Sequence, residues 1–458
     1  MINMEVLMTG NQNIILMMYL MQSGIEININ QPCAQVKEFS QRLSREVMNS
    51  DVEFKPSVFN YHVETPKKYL VYNTLYNALA KLSKQEYAKL QGQQRCGRDL
   101  RKKFLEMGFA VTNEIDEREN YRKWRNKIQQ DLQYLSINIT TTLKCNARCP
   151  YCYEKGVKPV DFDESLMDSL IKFIKNKKKS QPVKLNWFGG EPLMNPKIID
   201  EVTTRLGEQG FEYDSFIITN GSLITKKLIK SKFKNWNMRG LQITLDGTAE
   251  NYEKSKGYVG RAKNMFSKIL DHIEWIAQAG IHVDIRLNTD RNNLNDMFNL
   301  IYILQERFDG NDKVVYYPAF VTGLEDKLTE EEKVEFVKKL FVELANPNKM
   351  SITDRLYSFP RNIPCMRNDP QSFSVDVYGK IYSCEHLVGH KEEAMGTLKR
   401  LSNEVNQARL DEPLREECET CVFLPKCMGG CASNLRTGDP ACMINKYMIQ
   451  AYMEYMCE

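Results

Sequence analysis

Short apolar runs alternate with longer amphipathic segments between residues 136 and 345. The runs are rich in Val, Ile and Leu, which favour strands, and the segments between them have apolar positions three and four residues apart, as in a helix that buries one face. This alternation predicts a parallel α/β domain, and six strands with their helices predict a partial (β/α)6 barrel. The predicted strands are Ser136–Thr142, Val183–Phe188, Ser215–Thr219, Leu241–Leu245, Val283–Asn288 and Val314–Ala319.

Several helices of this region carry recognisable end signals. Pro196 is well placed to open one helix, and Gly280 to end another, because proline fits the first helical turn and glycine the position after the last one. Thr329 and Glu332 have the spacing of a capping box and predict the start of a third helix.

The region before the barrel has a different pattern. Ser57–Glu64 and Tyr69–Asn73 predict a hairpin, and the pair Ser83 and Glu86 predicts a capping box that opens a short helix. A second helix is predicted over Arg98–Met107. Two strands followed by short helices indicate a winged-helix-like module.

The periodicity fades after Pro347, where the density of cysteines rises. Eight of the thirteen cysteines lie between Cys365 and Cys457, so this loop-rich segment is expected to need metals to hold it together. The predicted domains are an extension without an assigned role (1–55), the winged-helix-like module (56–131), the barrel (132–347) and a cysteine-rich C-terminal domain (348–458).

Composition narrows the function classes. A net charge of +4 on 458 residues argues against a dedicated nucleic-acid-binding protein, which would concentrate basic residues on one surface. The apolar run Ile14–Met21 is too short to span a membrane and lacks the basic region of an export signal. We therefore expect a cytoplasmic protein without a membrane partner.

Thirteen cysteines in a long chain without an export signal favour metal ligation over disulfides. Only five histidines are present, and none forms a His-x-x-x-His pair. Sites built from thiolates alone hold iron–sulfur clusters or structural zinc, and both alternatives stay open at this point.

The first group of thiols reads Cys145-Asn-Ala-Arg-Cys149-Pro-Tyr-Cys152 and follows the first barrel strand. This loop supplies three thiolates, whereas a 4Fe–4S cluster has four irons to ligate, so one iron stays open to a small molecule with an amine and a carboxylate. The loop also stands at the carboxyl end of a strand, where barrel active sites are built. With a distant fourth ligand, the same three thiols would instead hold structural zinc.

With the segment Trp187-Phe-Gly-Gly-Glu-Pro192 after the second strand, the chain resembles the radical S-adenosylmethionine (SAM) superfamily. The resemblance extends to Thr219-Asn-Gly221 and Thr244-Leu-Asp-Gly247, and it implies a 5′-deoxyadenosyl radical that abstracts a hydrogen atom from a substrate. Arg286 is a further candidate for the nucleoside site. By this resemblance the cofactor-binding residues are Gly189, Gly190, Glu191, Asn220, Thr244 and Asn288.

The thiol spacing of the C-terminal domain resembles the SPASM domain of radical enzymes that modify peptides. That resemblance implies two auxiliary 4Fe–4S clusters, three clusters in all, while a pair of zinc sites is the alternative. The fourth position of the first auxiliary cluster is open to a substrate thiolate or to an unidentified ligand. The implied ligands are Cys365, Cys384 and Cys431 for the first auxiliary cluster and Cys418, Cys421, Cys427 and Cys442 for the second, with Cys33, Cys96 and Cys457 left as ordinary thiols.

Glu385 directly follows Cys384. Sulfatase-maturing relatives usually have an Asp at this place, with the apparent role of a general base, and a Glu can do the same work. A solvated carboxylate, or one hydrogen-bonded to His386, is the alternative interpretation.

The N-terminal module resembles the precursor-recognition element of ribosomal-peptide maturases, which adds a leader peptide as a strand to its sheet. A structural cap on the barrel is the alternative. The sequence is thus interpreted as a maturase that crosslinks a ribosomally made precursor, with a Cys thioether as the first choice and carbon–carbon or carbon–oxygen bonds open. The expected partners are the precursor with its leader and a small reducing protein such as flavodoxin or ferredoxin.

Two other functions fit parts of the sequence. One is an anaerobic sulfatase-maturing enzyme that forms formylglycine, although the long N-terminal region and Glu385 count against it. The other is a non-catalytic peptide-binding protein with zinc-stabilised loops. Brown, iron-containing protein would indicate the enzyme, and colourless, zinc-containing protein the binding module.

Overall fold

The computed structural model describes residues 5–8, 53–130, 134–178, 181–260, 264–343, 365–401, 414–431, 442 and 444–457. Its strands are β1 (Glu5–Met8), β2 (Phe54–Pro56), β3 (Asn60–Glu64), β4 (Lys68–Asn73), β5 (Ala78–Ser83), β6 (Ala110–Thr112), β7 (Leu135–Thr142), β8 (Val183–Gly189), β9 (Tyr213–Thr219), β10 (Met238–Leu245), β11 (His282–Thr289), β12 (Val314–Phe320), β13 (Ser372–Val375), β14 (Lys380–Tyr382), β15 (Gly396–Thr397) and β16 (Arg400–Leu401). Its α-helices are α1 (Lys84–Leu90), α2 (Arg98–Glu106), α3 (Glu117–Gln130), α4 (Met167–Lys177), α5 (Pro196–Glu208), α6 (Lys226–Leu228), α7 (Ala249–Lys256), α8 (Met265–Gln278), α9 (Asp296–Phe308), α10 (Glu330–Glu343), α11 (Glu416–Glu419), α12 (Leu424–Cys427) and α13 (Ile444–Tyr455).

Strands β7 to β12 pair in sequence order and in parallel, which confirms the predicted partial barrel. On β11 the side chains of Val283, Ile285 and Leu287 are fully buried in the main core, so the alternate positions face the barrel lumen. All six predicted strands are present. Strand β10 begins earlier than predicted because Met238 pairs with β9 across an irregularity at Gly240, which interrupts the apolar pattern.

The predicted helix signals are confirmed as well. Helix α5 starts at Pro196, and Gly280 follows α8 in the left-handed region with φ +78°. The capping box before α10 is formed, because Thr329 N–H donates to Glu332 Oε2 (2.7 Å) and Glu332 N–H to Thr329 Oγ1 (3.2 Å).

The N-terminal module contains a four-stranded antiparallel sheet, in the order β1-β5-β4-β3, and a separate β2–β6 pair. The sequence predicted only the β3–β4 hairpin. Strand β5 was missed because Ala78-Leu-Ala-Lys-Leu-Ser83 is rich in helix-forming residues, and pairing with β4 overrides that preference. The capping box of Ser83 and Glu86 is confirmed.

The C-terminal region contains strands as well as loops, which corrects the expectation of an irregular domain held by metals alone. Strand β13 pairs in parallel with β7, with Phe373 opposite Ile137, and β14 to β16 continue the same sheet as antiparallel strands. The barrel sheet thus extends to ten strands. The open edge of the barrel is covered, and Cys365 and Cys384 are brought beside β7.

A second core joins the N-terminal module to the C-terminal region, with Phe59 and Tyr121 of the module and Cys418 and Leu424 of the C-terminal region in one apolar cluster. Within the part of the chain that the structure describes, no helix has the length and apolar character needed to cross a membrane. The predictions for Cys33 and Ile14–Met21, and the boundary between residues 347 and 348, lie outside the described residues.

Candidate active site

The first thiol loop, residues 145–152, follows β7 and is held by backbone contacts to the segment after α7. Arg148 N–H donates to the Lys256 carbonyl (2.7 Å), and Val259 N–H to the Asn146 carbonyl (2.9 Å). The Arg148 guanidinium donates a hydrogen bond from Nη1 to the backbone carbonyl of Cys145, within the same loop (2.7 Å). The loop is therefore shaped by the chain itself.

A cavity of about 770 Å³ opens beside this loop at the carboxyl ends of the barrel strands. Its wall brings together the three thiols that the sequence predicted with four of the six predicted cofactor-binding residues. Those lining residues are Cys145, Cys149, Cys152, Gly189, Gly190, Asn220 and Thr244.

Gly189 and Gly190 let the end of β8 lie directly against the thiol loop. A Cβ on Gly189 would stand 2.2 Å from the Thr142 carbonyl oxygen, and one on Gly190 would stand 2.5 Å from that of Lys144. The same contact is hydrogen-bonded, because Gly190 N–H donates to Thr142 (3.0 Å) and Glu191 N–H to Lys144 (2.9 Å). Any side chain here would push the strand end and the loop apart.

Glu191 does not line the cavity but supports its wall from behind. Its fully buried carboxylate accepts hydrogen bonds from Thr219 Oγ1 (2.7 Å) and from the backbone N–H of Asn220 (2.8 Å). Burial raises the pKa of this carboxyl, while these hydrogen bonds oppose the rise. The residue ties the end of β8 to the end of β9, and its direct contact with a cofactor stays a prediction.

The other predicted cofactor-binding residues take different positions. Asn220 Nδ2 donates to Asn146 Oδ1 (2.8 Å), so it links the end of β9 to the thiol loop, and the hydroxyl of Thr244 accepts a hydrogen bond from Lys256 (2.7 Å). Asn288 is buried outside the cavity wall, and its side-chain oxygen accepts from Arg286 Nε (2.9 Å).

Sequence reasoning missed a buried polar network at the base of this cavity. Lys256 Nζ lies 2.8 Å from Asp246 Oδ2, and their side chains are 2% and 1% exposed. The Tyr151 hydroxyl donates to Asp246 (2.5 Å) and accepts from Lys256 (3.1 Å). Burial lowers the pKa of Lys256, but negative charge on Asp246, Tyr151 and Cys149 together outweighs this effect and holds the pKa well above its usual value. Nothing local in the sequence marks Lys256, because its charge is balanced only through tertiary contact.

The three thiols of the first loop influence one another electrostatically. Burial, together with negative charge on Glu191, Cys149 and Cys152, raises the pKa of Cys145 to about 11. Burial likewise raises the pKa of Cys152. Thiols in such surroundings stay neutral unless a cation deprotonates them, which is what metal coordination does.

The thiols predicted for the second auxiliary cluster occupy one neighbourhood. Burial, together with negative charge on Cys421, Cys418 and Cys442, raises the pKa of Cys427 to about 11. These are the three residues with which Cys427 was grouped from the sequence. Arg415 Nη2 stands 3.2 Å from Cys418 Sγ, so a cation also faces this group.

The thiols predicted for the first auxiliary cluster lie at the open edge of the barrel. Met366, next to Cys365, packs in the apolar cluster that contains Cys384. Asn138 on β7 contacts both segments, because its Nδ2 lies 3.1 Å from Glu385 Oε2 and 3.5 Å from Met366 Sδ. Cys365 and Cys384 are thus brought to one side of β7, and the role of Cys431 as their partner stays a prediction.

Tyr153 connects the first thiol loop to the auxiliary region. It follows Cys152 and lines the cavity, and its ring stacks on that of His386 with a centroid distance of 4.6 Å. Glu385, the partner of His386 that the sequence suggested, is held by Asn138, and its Oε2 lies 4.0 Å from Cys384 Sγ. Through the Tyr153–His386 contact, the wall of the cavity touches the auxiliary region.

The cysteines of the described residues are free thiols, with no disulfide among them. Among those residues, no three His, Cys, Asp or Glu side chains converge on one point as ligands of a single metal ion do.

Comparison with known proteins defines the class. The sequence matches the Radical SAM superfamily over residues 139–300, the stretch that contains the first thiol loop and the strand ends around the cavity. The barrel region is thus similar to radical SAM enzymes, a class for which a 4Fe–4S cluster and SAM are the typical cofactors.

Curated relatives cover the barrel region. The radical SAM cyclopropyl synthase of Paramaledivibacter caminithermalis is 29% identical over 166 residues, which are 31% of this chain and 34% of that protein. The GTP 3′,8-cyclase of Clostridium perfringens is 27% identical over 180 residues, 39% of this chain and 54% of that protein. The chain thus spans about a third to a half of the length of these relatives.

Solved structures share the fold over a longer stretch. One is anSMEcpe with bound AdoMet and Cp18Cys peptide, with a TM-score of 0.55 and 19% identity over 70% of this chain and 96% of that one. Another is Streptococcus suis SuiB bound to precursor peptide SuiA, with a TM-score of 0.50 and 14% identity over 84% of this chain and 97% of that one. At these identities the likeness concerns the fold.

Proposed function

We propose that this chain is a radical SAM peptide maturase that removes a hydrogen atom from a ribosomally made precursor and installs a crosslink, with a Cys thioether as the first choice. The observation that carries the proposal is the cavity beside the first thiol loop, whose lining residue Tyr153 stacks on His386, two residues after Cys384. The solved structures of similar fold were captured with peptides, one of them a precursor. A substrate held in this cavity would face the radical source and would lie near an auxiliary thiol site.

The residues have distinct roles in this proposal. Cys145, Cys149 and Cys152 hold the SAM-binding cluster, and the seven thiols that the sequence assigned to the C-terminal domain's clusters hold two auxiliary clusters, grouped as predicted. When bound, these groups and SAM supply the radical that takes the hydrogen atom, and an iron–sulfur acceptor for the electron released when the sulfur–carbon bond forms. The proton of the substrate thiol goes to a base, for which Glu385, held by Asn138 at 3.1 Å, is the candidate.

The N-terminal module is proposed to bind the leader of the precursor by strand addition. Its antiparallel sheet, now known to have four strands, offers edges for such pairing. A small reducing protein such as flavodoxin or ferredoxin completes the proposed set of partners. The match of the barrel region to the Radical SAM superfamily supports the enzyme over the non-catalytic, zinc-stabilised alternative.

The experiment uses anaerobically reconstituted, reduced enzyme, SAM and candidate Cys-containing precursor peptides, chosen from short reading frames near the gene. We expect each crosslink to lower the peptide mass by two hydrogen atoms, to survive a thiol reductant, and to be absent with Cys145→Ala. Fragmentation then locates the bond. Conversion of one Cys or Ser to formylglycine would identify the sulfatase-maturing alternative, and an unchanged peptide in the presence of loaded clusters would contradict the maturase.

A further inference from the structure

Arg286 places a positive charge inside the barrel lumen. It lies on β11 between Ile285 and Leu287, whose side chains are fully buried on the opposite face, so its own side chain points inward. In the sheet it stands beside Thr244 of β10 and Tyr317 of β12. It is near the carboxyl ends of these strands, where the active-site cavity opens.

The guanidinium is held at one end and open at the other. Its Nε donates to Asn288 Oδ1 (2.9 Å). The backbone of Asn288 is itself held, because its backbone carbonyl accepts a hydrogen bond from Asn293 Nδ2 (2.8 Å). Within the described ranges, neither Nη1 nor Nη2 of Arg286 makes a hydrogen bond or ion pair. A guanidinium has five N–H donors, so a preoriented edge with several donors is left for a ligand.

Arg286 stands between the cavity and the last strand of the barrel. On one side it pairs with Thr244 of β10, which lines the cavity. On the other side it pairs with Tyr317 of β12. Arg286 is not part of the cavity wall around Cys145, Cys149 and Cys152, where the resemblance places SAM.

We propose that Arg286 is a specificity-determining residue that binds a carboxylate of the precursor, either an Asp or Glu side chain near the modified residue or the C-terminal carboxylate. This inference rests on the proposed function. The planar fork of a guanidinium matches a carboxylate with two parallel hydrogen bonds, and in a lumen closed on several sides such a pair is stronger than in water. The methionine carboxylate of SAM has the same chemistry and is the competing source, which the experiment separates.

The experiment compares reconstituted wild-type enzyme, Arg286→Gln and Arg286→Lys. For each protein, it measures the dissociation constants of SAM and of the candidate precursor peptide described above. Each acidic residue of the peptide is replaced in turn by its amide, and one peptide carries a C-terminal amide. We expect Arg286→Gln to weaken binding of the unmodified peptide roughly 10- to 100-fold, with partial retention in Arg286→Lys. One of the altered peptides lacks the carboxylate that Arg286 binds. For that peptide, the wild-type enzyme and Arg286→Gln should have the same dissociation constant.

Lys184→Gln is the matched control. It removes one positive charge near the amino ends of the barrel strands, where Lys184 lies over the Tyr134 ring, and peptide affinity should not change. Weaker SAM binding by Arg286→Gln with unchanged peptide binding would overturn the proposal in favour of the cofactor. The proposal would also be overturned if, for every altered peptide, the loss of affinity caused by Arg286→Gln simply added to the loss caused by the peptide change. If wild-type enzyme leaves the native peptide unmodified, the proposed function fails. If it modifies the peptide but Arg286 shows no coupling, only this inference fails.

Discussion

At the scale of single residues, the buried pair of Lys256 and Asp246 links three parts of the candidate site. The Lys256 ammonium contacts Thr244 on β10, and the Asp246 carboxylate contacts Tyr151 within the first thiol loop. The Lys256 carbonyl receives the backbone N–H of Arg148. Because these charges are removed from water, each depends on the other to remain ionised.

Replacement of one member of this pair should destabilise the site strongly. Lys256→Met leaves Asp246 buried without its cation, which is expected to cost roughly 3–5 kcal/mol. We expect a lower thermal midpoint and less iron per chain after reconstitution. Lys254→Met, at an exposed position of the same helix, is the control. Equal midpoints for the two variants would contradict a supporting role for the pair.

Glu117 predicts a pH dependence in the N-terminal module. Its carboxylate accepts hydrogen bonds from Ser57 Oγ (2.8 Å) and Val58 N–H (2.9 Å), but burial raises its pKa from 4.5 to about 7. Between these values the folded state keeps a proton that the unfolded state has lost, so stability falls as pH rises from about 4.5 through 7.

Glu117→Gln should remove this dependence, because an amide does not titrate. The urea midpoint of the module, read from tryptophan fluorescence and hydrogen exchange, should fall between pH 5 and pH 8 for the wild type more than for the variant. Glu119→Gln, at an ion-paired position near the surface of the same helix, is the control and should keep the wild-type slope. Parallel pH profiles for the wild type and Glu117→Gln would refute the prediction.

At the scale of elements, the N-terminal module forms hydrogen bonds to the loop that contains Cys418, Cys421 and Cys427. From α3, Arg118 Nη2 donates to the Thr420 carbonyl (2.9 Å) and the Tyr121 hydroxyl to that of Leu424 (3.2 Å). In the turn after β4, Thr74 donates to the Val422 carbonyl. The module and this thiol loop therefore support each other.

Arg118→Met tests this support, because Arg118 also donates to the Glu419 carbonyl and its loss leaves two acceptors without their partner. We expect the docked state to lose roughly 1–3 kcal/mol. Amides of β3 to β5 should exchange faster, and iron should be lost preferentially from the second auxiliary site. Lys123→Met, an exposed position of the same helix, is the control. Unchanged exchange and iron content in Arg118→Met would argue against coupling.

The elements that sequence reasoning found are those with strong local signals. The barrel strands are apolar runs between turn residues, and the capping boxes at Ser83 and Thr329 are local hydrogen-bond patterns, so all were predicted correctly. Strand β5 was missed because its helix-forming residues are overridden by pairing with β4. Strand β13 was missed because its pairing with β7 joins segments far apart in sequence, which no local pattern reports.

The residues of the candidate site also fall into two groups, those predicted from the sequence and those found only in the structure. The cavity-lining thiols and glycines were predicted because the chemistry fixes their spacing along the chain. The network of Lys256, Asp246 and Tyr151, and the inward position of Arg286 beside Asn288, depend on tertiary contacts and were found only in the structure. The support that Glu191 gives to the cavity wall is of the same kind.

At the scale of the whole molecule, direct contacts join the barrel, the C-terminal region and the N-terminal module. The barrel supplies the cavity and the first thiol loop, and the C-terminal strands extend the barrel sheet and place Cys384 and Glu385 beside β7. The N-terminal module packs against the second auxiliary thiol loop through a shared apolar core. This arrangement leads to the central claim, that a peptide lies between the radical source and the auxiliary sites.

Deuterium transfer tests this claim most directly. The precursor is prepared with deuterium on the carbons of its candidate crosslink residues, and 5′-deoxyadenosine is analysed by mass after turnover with reconstituted, reduced enzyme and SAM. We predict that deuterium from one labelled residue appears in 5′-deoxyadenosine in proportion to crosslinked peptide, and that Cys145→Ala yields neither product. Crosslinked peptide accompanied by unlabelled 5′-deoxyadenosine from every labelled precursor would contradict the claim.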